Sequence, residues 1–333
     1  MSRRAAIYGT GLYAPERVVR NAEFNERYGM DVDAFLRENR NIHERRFMAP
    51  DQATSDLIVP AARDALAAAG IGPEALDLII VSTDTPDYIS PPTASVVQHK
   101  LGAVRAGTFD VNSACAGFVT ALDMASKYVV ADERYQAILV VGAYGMSKYL
   151  DWDDYKLATL FADGAGAVVV RPATDGTGLL SSTLYADGSF HDFMGIYAGG
   201  TFMPTDAAAL ERKDHLLRFA KKFPAETNPT HWPRLIRETL ERIGRSPAEV
   251  KHYFFTQINI ASIAAALDAL GVPAERSHNI MDRYAYTGSA CIPMAVADAA
   301  AQHRLKRGDL VVLMGSGGGM AMAAAALEWS YDT

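Results

Sequence analysis

The tripeptide Ser-Ala-Cys occurs twice, at Ser113–Cys115 and at Ser289–Cys291, 176 residues apart, and each copy opens a helical pattern. In the first copy Phe118, Leu122, Ala125 and Val129 recur at spacings of three and four, which marks one face of a helix. Each copy follows a strand–helix–strand pattern and leads to an apolar run. That run is Ile138-Leu139-Val140-Val141 in the first half and Leu310-Val311-Val312-Leu313 in the second. Self-similarity at a fixed period implies an internal duplication. Two α/β halves of roughly 150 residues each, sheet beside sheet with helices between, would bring both helix starts near the centre. The halves are expected at residues 1–175 and 176–333.

The rest of the chain fits that frame. Residues 4–9 read as a strand, Asn21 to Tyr28 as a helix, and Thr54 to Ala69 as a long alanine-rich helix stopped by Gly70. Asp31 to Phe47 mixes aromatics with Arg37, Arg40, Arg45 and Arg46 and reads as an exposed helix-turn with a basic side. Leu76 to Ser82 and Tyr135 to Gly142 are continuous apolar runs of strand length, the pattern of strands buried on both faces. Further strands are expected up to Val111 and at Val168–Val170, with a helix running to Leu101. The second half offers a helix over His231 to Ile243, a strand over Val250 to Thr256 and a helix from Asn259 to Leu270. A helix over Met294 to His303 and a strand over Leu310 to Met314 follow. Strands alternating with helices predict an α/β fold with a largely parallel core sheet. Tyr185 to Thr230 has no counterpart in the first half and carries a Lys/Arg-bearing helix near Ala207 to Phe223; such an insertion is expected to cover the substrate entrance.

A net charge of −7 supplies no basic footprint for nucleic acid. Two cysteines make no disulfide framework, which points to a reducing cytoplasm. The N-terminal apolar run breaks at Gly9, Gly11 and Pro15, too soon for a secretory signal, and no stretch approaches the ~20 apolar residues of a membrane span. The reading is a cytoplasmic protein without membrane or nucleic-acid partners. No metal-ligand spacing is present, and Gly9-Thr10-Gly11 lacks the third glycine and acidic partner of a dinucleotide fingerprint.

Cys115 stands where a small polar stretch, Asn112 to Gly117, opens into a helix. The free N–H groups of a helix start favour an anion, so a thiol there is expected to ionise more easily and serve as a nucleophile.

Together these segments resemble the thiolase superfamily, and within it the ketoacyl-ACP synthase III group. The resemblance runs from Ile7-Tyr8-Gly9-Thr10-Gly11 to Leu327-Glu328-Trp329. It includes Asp51 to Asp56, Asp110-Val111-Asn112 through Cys115-Ala116-Gly117, Leu160 to Ala167, and Gly315-Ser316-Gly317-Gly318-Gly319-Met320. It implies layered α-β-α-β-α halves, a homodimer, and a Cys115 that accepts an acyl group from coenzyme A or acyl carrier protein. The thioester of coenzyme A or phosphopantetheine is then a substrate, and no cofactor is tightly bound. The tetrahedral oxyanion would be met by backbone N–H groups of Cys115 and of the Gly317-Gly318-Gly319 turn, with Gly318 central to it.

At other positions the chain departs from the pattern that the resemblance implies. Thr256, in Thr256-Gln257-Ile258-Asn259, stands at the family's histidine position, Tyr286 at its asparagine and Ser316 at its usual phenylalanine. At the coenzyme A mouth Phe35 takes the place of a stacking tryptophan, while Tyr155 and Ala261 occupy arginine positions. Arg37, Arg40 and Lys156 are the candidate replacements, with Asn259 and Ser316 also expected at the substrate. His191 and His278 are the candidates for a relocated imidazole, and Cys291 reads as a packing echo of Cys115.

Three functions are compatible with these residues. The first is acyl transfer from Cys115 to a non-standard acceptor in fatty-acid, polyketide or other specialised metabolism. The second is decarboxylative Claisen condensation with Thr256 and Tyr286 in place of His and Asn. The third is a non-catalytic subunit that partners an active homologue.

Overall fold

A computed structural model describes residues 3–333. Two sheets carry the architecture. The first has five strands in the order Arg4–Tyr13, Asp163–Ala173, Ile138–Gly145, Leu78–Ser82 and Gly107–Val111. The second has four, in the order His252–Phe255, Leu310–Gly317, Ala321–Glu328 and Gly178–Ala186. Chain connectivity passes from one to the other between Ala173 and Gly178.

The helices complete five layers. Thr54–Ala68 and Thr93–Leu101 cover the outer face of the first sheet, and Gly117–Ala131 and Cys291–Ala301 lie between the sheets. Thr227–Glu241 packs on the second sheet with Ile260–Leu270 beside it. The predicted duplicated, layered α/β fold is the one observed. Leu78–Ser82 and Ile138–Gly145 are buried at every residue, as their unbroken apolar runs require.

The sheets are mixed, whereas the alternation of elements predicted a largely parallel core. Leu78–Ser82 is parallel to both neighbours, and His252–Phe255 is parallel to Leu310–Gly317. Each of those pairings is separated in sequence by a crossover that contains a helix, which parallel strands need. The other pairings are antiparallel, including Leu310–Gly317 with Ala321–Glu328 across the short glycine turn. Strand-forming residues do not encode which way the chain returns.

The central helices lie hard on the first sheet. A Cβ on Gly166 would fall 2.4 Å from the Met294 backbone nitrogen, so only glycine allows that approach. Ala114–Ala131 also has the length and mean hydropathy, 1.2, of a membrane span, which the sequence reading did not anticipate. Its position between the two sheets accounts for that apolarity.

Two other segments differ from expectation. Asp31 to Phe47 resolves into the helix Asp33–Arg40 and the strand Glu44–Phe47, and Arg45 is fully buried rather than solvated. Its guanidinium donates to the Val19 carbonyl, to Asn21 Oδ1 at 2.6 Å and to the Thr159 carbonyl at 2.8 Å, and burial brings its pKa down to about 9. The helix expected near Ala207 to Phe223 spans only Ala207–Glu211. Buried Asp214 ends it: its carboxylate pairs with Arg212 and Arg218, and its carbonyl accepts from Tyr197 and Ala198. Arg218–Phe219 then pairs with Met194–Gly195 as a two-residue ribbon.

Candidate active site

Three adjacent strands of the first sheet, Gly107–Val111, Leu78–Ser82 and Ile138–Gly145, run parallel and end on the same side. The outer one leads into a single 3₁₀ turn, Ala114–Ala116, before the helix Gly117–Ala131. Cys115 occupies that turn, with Ala114 held at a φ of 45°. The end of the second-half strand lies against it: a Cβ on Gly317 would come 2.5 Å from the Cys115 nitrogen. Glycine at 317 therefore lets two backbones meet beside the thiol.

Cys115 opens onto a cavity of about 840 Å³. Tyr286, Asn259, Ser316, Gly317 and Gly318 share its lining, as do Leu157, Leu160, Met194 and Met320. Tyr286 is held at both main-chain ends, its N–H donating to the Leu160 carbonyl at 3.1 Å and its own carbonyl accepting from Ala162 at 2.9 Å. Its ring packs on Phe161 at 5.3 Å, and Phe161 in turn on Tyr144 at 6.2 Å. Thr256 is buried behind the lining and is engaged structurally: its hydroxyl oxygen accepts the Ser316 N–H at 2.8 Å. Ser316 Oγ donates to Asn228 Oδ1 at 3.0 Å, and Asn259 Oδ1 caps the next helix by accepting from Ala261.

At the mouth the expected residues separate. Arg40 and Lys156 border the cavity. Arg37 instead pairs with Asp33 at 2.8 Å, and Phe35 lies outside the lining, 54 % exposed, under the Arg40 guanidinium. Tyr155 is also outside, packed near Tyr28 with Lys156 over its ring. The 185–230 segment supplies what the sequence reading missed, namely Arg218, Phe219, Lys221, Lys222 and Phe223 along one wall. The signal was present in the sequence, where basic and aromatic residues alternate from Arg218 to Phe223.

No histidine lines the cavity among the described residues. His191 is exposed on its loop, next to the Gly188 carbonyl. His278 is buried elsewhere, bound to Asp298 at 2.7 Å and to Arg304.

The electrostatics reverse the expectation of an easily ionised thiol. Burial pushes the Cys115 pKa well up, and the nearby Asp84 carboxylate pushes it further. The Tyr286 hydroxyl, which faces the sulfur, opposes this only in part. A single 3₁₀ turn buried between two sheets gives the thiolate less stabilisation than desolvation removes. Cys291, at the matching helix start, is also buried, with its pKa pushed up to about 12 by desolvation.

Comparison with known proteins supplies the wider context. Residues 109–188 match the family profile described as 3-oxoacyl-[acyl-carrier-protein (ACP)] synthase III, and residues 240–329 match its C-terminal counterpart. The chain is 39 % identical to an acetoacetyl CoA synthase from Streptomyces sp. (strain CL190), covering 98 % of this chain and 99 % of that one. It is 36 % identical to a beta-ketoacyl-[acyl-carrier-protein] synthase III from Symbiobacterium thermophilum, covering 98 % of each. The crystal structure of 3-oxoacyl-(acyl carrier protein) synthase III from Pseudomonas aeruginosa PAO1 superposes with a TM-score of 0.89 at 31 % identity, over 99 % of both chains.

Proposed function

Because the chain belongs to the 3-oxoacyl-[acyl-carrier-protein] synthase III family of acyltransferases, we propose that it forms an acyl-enzyme on Cys115 from an acyl-CoA or acyl-carrier-protein thioester and passes the acyl group to a non-standard acceptor. The observation that carries this reading is a cysteine opening onto a large cavity that no imidazole lines among the described residues. The Cys115 sulfur attacks the thioester carbonyl, and backbone N–H groups at Cys115 and Gly318 meet the oxyanion. Collapse of that intermediate expels the carrier thiol. Arg40, Lys156, Arg218, Lys221 and Lys222 border the mouth where a phosphate-bearing donor would enter.

In this reading Thr256 and Tyr286 stand where the family resemblance implies histidine and asparagine. Thr256 is committed to the Ser316 backbone, and Tyr286 is a donor with a pKa raised well above its usual value, so neither acts as a base near neutral pH. Transfer to a hydroxyl, amine or carrier thiol requires no enolate. Incubation with acyl-CoAs and acyl carrier proteins followed by intact mass should reveal an adduct that Cys115→Ala lacks. An adduct that survives that substitution rules the reading out.

Decarboxylative condensation is the second reading, favoured by the names of the relatives, which are an acetoacetyl CoA synthase and a beta-ketoacyl-[acyl-carrier-protein] synthase III. It requires carbon dioxide released in step with product from a malonyl thioester, and neither signal is expected under acyl transfer alone. Residues 1–175 and 176–333 form the two halves in either case. We further expect a homodimer, since among the described residues Gly107–Val111 leaves one edge of its sheet unpaired, and Tyr88 and Ile89, on the loop after the adjacent strand Leu78–Ser82, are exposed. Sedimentation at micromolar concentration tests this, and a monomer would refute it.

A further inference from the structure

The proposed chemistry leaves the proton of Cys115 without a destination. The thiol is buried, no histidine lines the cavity among the described residues, and Tyr286 can only donate to the sulfur. A different group lies on the protein side of the turn. Asp84 follows Leu78–Ser82, the strand between those that deliver Cys115 and Tyr144, so three parallel strand ends bring these residues together. The helix that follows Cys115 packs on the end of that strand: a Cβ on Gly117 would meet Ser82 Oγ at 2.0 Å.

Asp84 as a residue is only partly buried. Its Oδ1 is buried and has no hydrogen-bond partner among the described residues. The Ser289 hydroxyl borders its carboxyl and also lies 3.1 Å from the Ala114 carbonyl, joining Asp84 to the residue before Cys115. Ser82 Oγ and Thr287 Oγ1, from the flanking segments, are likewise buried without partners. The Asp84 charge bears on Cys115, Tyr144 and Tyr149, and among the described residues no cation offsets it. Burial pushes its pKa up to about 6, against a smaller lowering by its own backbone and by Ser289. A carboxylate with that affinity is ionised at neutral pH yet accepts a proton far more readily than a solvated aspartate.

We propose that Asp84 receives the Cys115 proton during acyl transfer, relayed across one water to its unpartnered Oδ1. The inference rests on the acyl-enzyme reading. As the S–C bond forms, the S–H bond breaks and its proton passes to the carboxylate. The thioester π pair moves onto oxygen, then returns and breaks the donor C–S bond. The departing thiolate recovers the proton, and Asp84 is again ionised.

The test pairs two rates for Cys115 across pH 5–9, both read by intact mass: acylation by acetyl-CoA and longer acyl-CoAs, and alkylation by iodoacetamide, which needs only the thiolate. In Asp84→Asn, acylation should fall by about 10², and its acid limb near pH 6 should disappear. Alkylation should rise several-fold, because a negative neighbour has gone. Asp84→Glu should recover part of the acylation. Wild-type acylation in Asp84→Asn with the acid limb retained overturns the proposal, as does a parallel loss of both rates, which indicates a damaged site. If wild type forms no adduct while alkylation still responds to Asp84→Asn, the acyl-transfer reading fails and with it the proton-transfer step, although Asp84 then still governs the thiol. An unresponsive alkylation rate removes that link as well.

Discussion

The two Ser-Ala-Cys helix starts share a sequence and a secondary structure, yet only one of them opens onto the cavity. Both cysteines are buried to 1 % exposure. At Cys115 the neighbour is the glycine turn of the second sheet, whose Gly317 backbone packs against the Cys115 nitrogen. At Cys291 the preceding Gly288 is closed in by the Tyr144 ring, 2.4 Å from where its Cβ would be. Duplication therefore supplies two equivalent helix starts, and the side chains packed over each decide which one meets solvent. The acids near the two starts differ in the same way. Asp84, near the first start, lacks a partner for Oδ1, whereas Asp298, on the helix that Cys291 opens, binds His278, Arg283 and Gln302.

The largest expected effect is on the cysteines themselves. Cys115→Ala should abolish the acyl adduct, and Cys291→Ala should retain it at near wild-type rate; intact mass reads both, and equal loss would erase the distinction between the two starts. Next is Gly317→Ala, whose Cβ would crowd the Cys115 nitrogen. It should cut acylation by about 10²–10³, as the loss of an oxyanion donor does. Gly166→Ala crowds the second central helix instead and should cost about 1–3 kcal/mol of stability, seen as a lower denaturation midpoint.

The acids give opposite pH signatures. Asp84 has a folded pKa raised to about 6, so it costs nothing below the unfolded value and destabilises progressively as pH rises from about 4 to 6. The full cost is on the order of 3 kcal/mol, and Asp84→Asn should remove that pH dependence in urea titrations. For Asp298, burial alone would raise the pKa, but the His278 hydrogen bond and the Arg283 guanidinium bring it down to about 2. Its stabilisation is present above pH 4 and lost as pH falls toward 2, so Asp298→Asn should weaken the fold at neutral pH. Smallest is the mouth: Lys221→Ala with Lys222→Ala should raise KM for acyl-CoA several-fold with kcat unchanged, and flatten its salt dependence.

Much of the architecture was legible in residue order. The helix Asn21–Tyr28 has the predicted bounds, the apolar run at Leu76 to Ser82 contains the buried strand Leu78–Ser82, and the run at Tyr135 to Gly142 overlaps the buried strand Ile138–Gly145. Part of the site was legible as well, since Cys115, Tyr286, Asn259, Ser316 and Gly318 meet at one cavity. Asp84 was not, because a lone aspartate after a strand looks like any turn residue until its burial is known. Nor was the placement of Arg45, whose partners Val19, Asn21 and Thr159 come from separate segments.

Periodicity, apolar runs and the repeated Ser-Ala-Cys determined the elements, the duplication and the position of one cysteine at a helix start. These are properties of short stretches, carried by side-chain spacing and backbone sterics. Tertiary structure alone decided the mixed strand directions, the approach of Gly317 to Cys115, and the raised pKa values of Cys115 and Asp84. Desolvation and charge proximity depend on groups far apart in the chain, so a thiol that local sequence marks as reactive becomes, in the folded protein, one that needs a partner for its proton.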